Sequence, residues 1–184
     1  MNNITNIIIK AVFILFLAIF NNTYTTAQPN NIKERIFFGG NLGLQFGTIT
    51  YIDISPFVGY KIADNLESAI GITYQYYNDR RYTGNVLSTS IYGGKVFIRY
   101  IFVENIFAHA EYEILSLETK YFKVMPSANE KKRFLLNNIL IGGGYRQKIG
   151  QKSFITFTIL WNINENINSP YNNPVMRIGY IFYF

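Results

Sequence analysis

Tyr92-Gly93-Gly94-Lys95-Val96-Phe97-Ile98-Arg99-Tyr100-Ile101-Phe102 and Ile106-Phe107-Ala108-His109-Ala110-Glu111-Tyr112-Glu113-Ile114-Leu115-Ser116 flank the tripeptide Val103-Glu104-Asn105, and in both runs every ionisable acid or base stands at an odd position. The even positions hold only Tyr, Gly, Val, Ile, Phe, Ala and Ser, apart from tyrosine hydroxyls an uncharged face. A repeat of two is the signature of a β-strand, whose successive side chains point to opposite sides of the sheet. The tripeptide between the runs is short enough to make them an antiparallel hairpin. Folding the chain about Glu104 sets Lys95 opposite Glu113 and Arg99 opposite His109, with Glu111 diagonal to both bases.

The same alternation recurs through most of the chain and predicts eight strands, at about 36–47, 50–62, 66–77, 90–102, 106–117, 134–149, 153–164 and 175–184. Three connections are short: Ala63-Asp64-Asn65, Val103-Glu104-Asn105 and Gly150-Gln151-Lys152. At the other ends lie Thr48-Ile49 and three longer stretches, 78–89, 118–133 and 165–174. Taken at every second residue, the apolar faces run Phe38 to Phe46, Ile52 to Ile62, Leu66 to Tyr76, Tyr92 to Phe102, Ile106 to Ser116, Leu135 to Tyr145, Ile155 to Ile163 and Met176 to Phe184. Those 45 positions contain no Asp, Glu, Lys, Arg or His. At the chain's 15% content of charged residues, about seven would fall there by chance, and choosing one face in each of eight segments does not easily remove them all.

An uncharged outer face, short turns at one end and longer loops at the other predict an all-β fold: an eight-stranded antiparallel up-and-down transmembrane β-barrel. Tyr60, Tyr100, Phe102, Tyr145, Tyr180 and Phe182 would form an aromatic girdle near the turns. Tyr74, Tyr76 and Tyr92 would form a second near the loops. A soluble lipocalin-like barrel or sandwich would have to turn the apolar face inward, where its bulk exceeds what an eight-stranded interior holds. Pro56 lies inside the second strand and supplies no N–H, so a bulge or a local loss of pairing is expected there.

Composition agrees. The 184 residues are 49% hydrophobic and 17% aromatic, too apolar for disorder, while a mean hydropathy of +0.08 is too low for a bundle of membrane helices. With no cysteine, disulfides, thiolate metal sites and cysteine nucleophiles are excluded. Lys10 precedes the apolar run Ala11 to Phe20, and Thr25-Thr26-Ala27 precedes Gln28. Residues 1–27 therefore read as a cleaved secretion signal, and 28–184 as the barrel domain.

The inward face then holds Asp53, Lys61, Glu67, Lys95, Arg99, His109, Glu111, Glu113, Arg146 and Arg177. The turn at Asp64 sets Lys61 opposite Glu67. Five cations and four carboxylates confined in a narrow lumen are expected to neutralise one another in a polar plug, because buried charge is tolerable only when paired. His109, the only histidine, lies five residues from a turn, where a catalytic histidine would want a serine and a carboxylate nearby, so no catalytic role is assigned to it. Gly142-Gly143-Gly144 lacks the Lys-Ser/Thr of a phosphate loop and reads as strand. The loop side carries Arg80, Arg81, Lys120, Lys123, Lys131, Lys132 and Arg133, placed to meet lipopolysaccharide phosphates.

Ser55-Pro56-Phe57-Val58-Gly59-Tyr60, Phe107-Ala108-His109-Ala110-Glu111-Tyr112, Gly142-Gly143-Gly144-Tyr145-Arg146-Gln147 and the ending Arg177 to Phe184 resemble the small eight-stranded outer-membrane protein β-barrels of Gram-negative bacteria. In that resemblance Tyr180, Phe182 and Phe184 correspond to the C-terminal signal read by the barrel assembly machinery. It implies a monomer in the bacterial outer membrane, with lipid and lipopolysaccharide as partners, no cofactor and no nucleic acid. Related small barrels serve as structural anchors, adhesion surfaces or lipid-modifying enzymes, and since no recognised catalytic set transfers to these residues, a non-enzymatic role in structure, adhesion or lipopolysaccharide contact is expected. A lipid-modifying hydrolase and a narrow small-solute pore are the alternative readings.

Overall fold

The computed structural model describes residues 32–45, 49–79, 87–122, 132–164 and 166–184; the secretion signal expected over 1–27 lies outside them. A single helical turn α1 (Ile32–Arg35) leads into β1 (Ile36–Gln45), β2 (Ile49–Ala63), β3 (Leu66–Asp79), β4 (Leu87–Val103) and β5 (Ile106–Glu118). A second turn of helix, α2 (Thr119–Phe122), is followed by β6 (Arg133–Lys148), β7 (Ser153–Asn162) and β8 (Val175–Tyr183). Every strand pairs antiparallel with its neighbours in sequence, and β8 pairs with β1, from Phe37 opposite Tyr183 to Leu42 opposite Ile178, to close the barrel. The strand ends fall within three residues of those expected from the alternation.

The hairpin registers are those set by the turns: Lys61 opposite Glu67, Lys95 opposite Glu113 and Arg99 opposite His109. Among the described residues, register shifts occur only beside the turns, between Lys61 and Ala63 and between Ile101 and Val103. At Pro56 there is no bulge. The β2–β3 ladder passes from Ile54 opposite Tyr74 to Phe57 opposite Gly71, leaving out two positions without changing register. Pro56 keeps its place opposite Gly40 on the β1 side, so the missing N–H interrupts pairing on one flank alone.

Which face points outward is settled by exposure. Of the residues assigned to the apolar face, none whose side chain is described is buried. Ile70, Ile72, Met176, Phe102 and Leu135 are each more than 60% exposed, while Glu67, Arg99, Glu111 and Glu113 are 2% or less. Water would drive the opposite arrangement, so this surface is built for a hydrocarbon solvent. Strands of 9 to 17 residues are long enough to cross it when tilted. The girdle tyrosines pair along the rims, Tyr74 with Tyr92 at 5.6 Å and Tyr100 with Phe102 at 5.0 Å between ring centres. Their hydroxyls meet polar neighbours, as in Tyr145 with Gln147 and Tyr180 with Ser153.

The interior is filled in layers, and not by charge alone as expected. Phe37, Phe57 and Phe97, all inward-facing and buried, make a phenyl layer in the turn-end half, and the buried Phe107 lies against Arg99 nearer the turn. Small residues opposite make room for them: a Cβ on Gly59 would strike the Phe37 ring, and one on Gly39 the Phe57 ring. Gly144 leaves space for Phe107 in the same way, while a Cβ on Gly142 or Gly143 would strike the backbone of β7 or β5, so the glycine run in β6 also lets the strands approach closely. Toward the loops the lumen is capped by Ile91, Leu115, Leu117 and Leu136, and by Leu140, Leu160 and Val175.

Candidate functional site

The charged residues of the lumen form two clusters, not one plug, and the phenyl layer lies between them. On β5 the inward order is Phe107, His109, Glu111, Glu113, Leu115, so the acids stand above the phenyl ring and below the leucine cap. On β4 the order is Lys95, Phe97, Arg99, which sets the two cations of one strand on opposite sides of a ring. The Phe97 ring is stacked by His109 at 4.8 Å, and the Arg99 guanidinium lies 5.3 Å from its centre.

Glu111 is the centre of the loop-side cluster. Its Oε1 accepts from Arg177 Nη1 at 2.7 Å, while its Oε2 lies 3.4 Å from His109 Nε2 and 3.6 Å from Lys95 Nζ. Arg177 also faces Asp53 at 3.7 Å, and Asp53 accepts hydrogen bonds from Tyr51 and Ser55. The expected Lys95–Glu113 contact is not made, although the two residues are opposite in the ladder. Lys95 leans diagonally to Glu111, because the Glu113 carboxylate is already held by Thr73 Oγ1 at 2.9 Å and the Tyr171 hydroxyl at 2.5 Å.

Tyr171 is a site residue the sequence did not reveal. It sits in the β7–β8 connection, yet its hydroxyl donates to Glu113 and accepts from Gln75 Nε2 at 2.5 Å and Arg177 Nη2 at 3.3 Å. Its ring packs against both apolar caps and so stoppers the lumen from the loop side. Burial, and after it the Glu113 carboxylate, pushes this hydroxyl well above the ordinary phenol range, which keeps it a donor. No motif marks such a residue; the density of Asn, Ser and Pro in 162–174 indicates only a structured loop.

Glu67 is the centre of the turn-side cluster. Its Oε2 lies 3.7 Å from Arg99 Nη1 and its Oε1 3.7 Å from Arg146 Nη1, and Oε1 accepts from Tyr183 at 2.5 Å. Lys61 does not reach its opposite residue Glu67. Its ammonium stacks 3.9 Å from the centre of the Tyr183 ring, a cation–π contact at the half-exposed mouth. Arg99 likewise lies over Phe107, at 4.3 Å, and has Glu67 as its ionic contact, not a β5 side chain.

Of the loop-side cations, Arg80, Arg81, Lys123 and Lys131 lie outside the described residues. Lys120 and Lys132 are exposed. Arg133 is engaged by the protein: it donates to Ser116 Oγ, to the Ser116 and Ser90 carbonyls and to Glu118, over the Tyr92 ring. At the other end of the barrel, Tyr180, Phe182 and Phe184 are exposed on the outer face, with Phe184 against Phe38 and Phe182.

No family model matches the chain, and no curated protein matches it in sequence. Among solved structures it is similar to the N-terminal β-barrel domain of Pseudomonas aeruginosa OprF, with 10% identity and a TM-score of 0.45 over 83% of this chain and 98% of that one. It is also similar to a barrel described as a de novo design of transmembrane β-barrels, with 9% identity and a TM-score of 0.42 over 82% of this chain and 96% of that one.

Proposed function

We propose that this protein is a closed, non-enzymatic barrel of the bacterial outer membrane that acts as a monomer and offers its loops to the cell surface. The observation that carries the reading is the pairing of an apolar outer wall with a lumen filled from cap to mouth by leucine, ion-paired and phenyl layers. Such a molecule spans a membrane without providing a path through it. The exposed Lys120 and Lys132 support contact with lipopolysaccharide phosphates; Arg133, held by Glu118 and two carbonyls, is better read as a tie within the wall. The exposed Tyr180, Phe182 and Phe184 are available to assembly machinery. His109 is 4% exposed, packed on Phe97 and in contact with Glu111, surroundings that suit a structural link better than a general base.

The test is reconstitution of the purified protein in planar bilayers containing lipopolysaccharide. The expected result is stable insertion without single-channel current and without release of fatty acid from lipid. Steady ohmic conductance would replace this reading with a pore, and lipid deacylation lost in His109→Ala would replace it with a hydrolase.

A further inference from the structure

The turn-side cluster holds more positive charge than its own carboxylate can pair. Arg99 and Arg146 both contact Glu67, and Lys61 stands beside them over the Tyr183 ring, with Glu67 and Asp64 as the carboxylates that act on it; around Glu111 three carboxylates face Lys95 and Arg177. Arg99 is 1% exposed, and its Nε and Nη1 hydrogens find no acceptor. A buried guanidinium with unmade hydrogen bonds is destabilising, and Arg99 is the side chain in this cluster least able to turn toward water. Glu67 cannot complete it. At 3.7 Å its carboxylate is beyond hydrogen-bond reach of Nη1, and Oε1 is committed to Tyr183.

The neighbours are held so that their donors stay available. Arg146 is anchored through Nε to the Glu104 carbonyl at 2.8 Å, which leaves its terminal nitrogens turned toward Glu67. The Lys61 ammonium is fixed over Tyr183 and half-exposed to solvent. Two planar forks and one ammonium, from β2, β4 and β6, are the donor set that binds a tetrahedral oxyanion. Arg99 itself lies between the rings of Phe97 and Phe107, 5.3 and 4.3 Å from their centres, so the part-exposed Lys61 and Arg146 form the entrance to the site.

We propose that the turn-side mouth of the barrel is a binding site for one phosphate-class oxyanion, held by Lys61, Arg99 and Arg146, with Glu67 as the internal carboxylate that weakens and regulates the binding. The loop-side cluster, with carboxylates in excess, does not bind such a group.

The probe is inorganic phosphate, titrated against chloride at fixed ionic strength into the folded protein in nonionic detergent micelles and followed by the side-chain NMR signal of Arg99 Nε–H. A saturable shift is expected. Lys61→Gln should weaken it about tenfold, and Glu67→Gln should strengthen it about threefold, since one variant removes attraction and the other repulsion. A second arm repeats the titration in nanodiscs containing phosphatidylglycerol. Loss of the phosphate response there assigns the site to a lipid headgroup, and an unchanged response assigns it to the free anion; both support the proposal. An unsaturating response in the wild type, or the same affinity in Lys61→Gln and Glu67→Gln as in the wild type, overturns it. Either result would mean that water alone serves Arg99.

Discussion

Around Glu111, three carboxylates face Lys95 and Arg177 in a chamber closed by leucines and Tyr171; around Glu67, one carboxylate faces Lys61, Arg99 and Arg146 at a mouth that is half open. The packed rings of Phe37, Phe57 and Phe97 stand between the two groups, and Phe107 lies against Arg99 nearer the turn. The closed chamber has the shortest ion pair, the 2.7 Å contact of Arg177 with Glu111, beside looser ones of Lys95 with Glu111 at 3.6 Å and Arg177 with Asp53 at 3.7 Å. At the mouth both ion pairs of Glu67 are 3.7 Å long, and the cations also rest on aromatic faces. A lumen of this width can therefore carry charge in two ways: locked by a direct bond where it is closed, and left adjustable where solvent enters.

The largest effect should come from the locked side. Glu111→Ala leaves Arg177 and Lys95 buried without their shared partner, and a cost of about 3–5 kcal/mol is expected in a urea titration of the protein in lipid vesicles. A cost no greater than that of Lys61→Gln would erase the distinction between the two clusters. Next, Ile98→Arg places a charge on the outer wall at the depth of the phenyl layer, for about 2–4 kcal/mol, whereas Phe102→Arg at the turn-side girdle should cost about 0–1 kcal/mol by the same assay. Equal values would mean that the apolar wall does not follow the depth assigned to it.

Tyr171→Phe keeps the stopper's ring and removes only its hydroxyl, stranding Glu113 and Gln75. A loss of about 1–3 kcal/mol is expected, together with faster hydrogen exchange at the loop end of β5. Exchange that quickens at the Glu67 end instead would show that the phenyl layer does not insulate one cluster from the other. The smallest effect belongs to Lys61→Gln, with less than about 1 kcal/mol in stability, because a half-exposed cation is well screened.

The barrel and its outward face were legible because lipid tolerates no charge, so one face of every strand is free of ionisable side chains from end to end. Hairpin neighbours such as Arg99 and His109 were legible too, since a short turn fixes which residues are opposite. Contacts across the lumen were not. Arg177 on β8 meets Glu111 on β5, and Tyr183 meets Glu67, only after the sheet has closed, and the distance across a cylinder is not encoded in any local run of sequence. The phenyl layer was overlooked for another reason: Phe37, Phe57 and Phe97 share the inward parity with the charges, and aromatics also mark the outer wall. The signal that could have separated them is the pairing of Gly59 with Phe37 and of Gly39 with Phe57, a large residue set against an empty place in the adjacent strand.

Pro56 has one further consequence, for the stagger of the cylinder. An inserted residue in β2 would change the sum of offsets around the wall and alter the tilt of all eight strands, but Pro56 removes a bond without adding a residue, so the shear is the same as in an uninterrupted wall. On the lipid side the unjoined stretch is a shallow furrow of about 410 Å³ lined by Phe38, Pro56, Val58, Ile70 and Ile72. Any other residue at 56 would bring a backbone N–H to the β3 edge, where the unchanged register offers it a partner, so the furrow is the proline's own. Because proline brings no N–H, the seam does not leave a donor at 56 facing hydrocarbon.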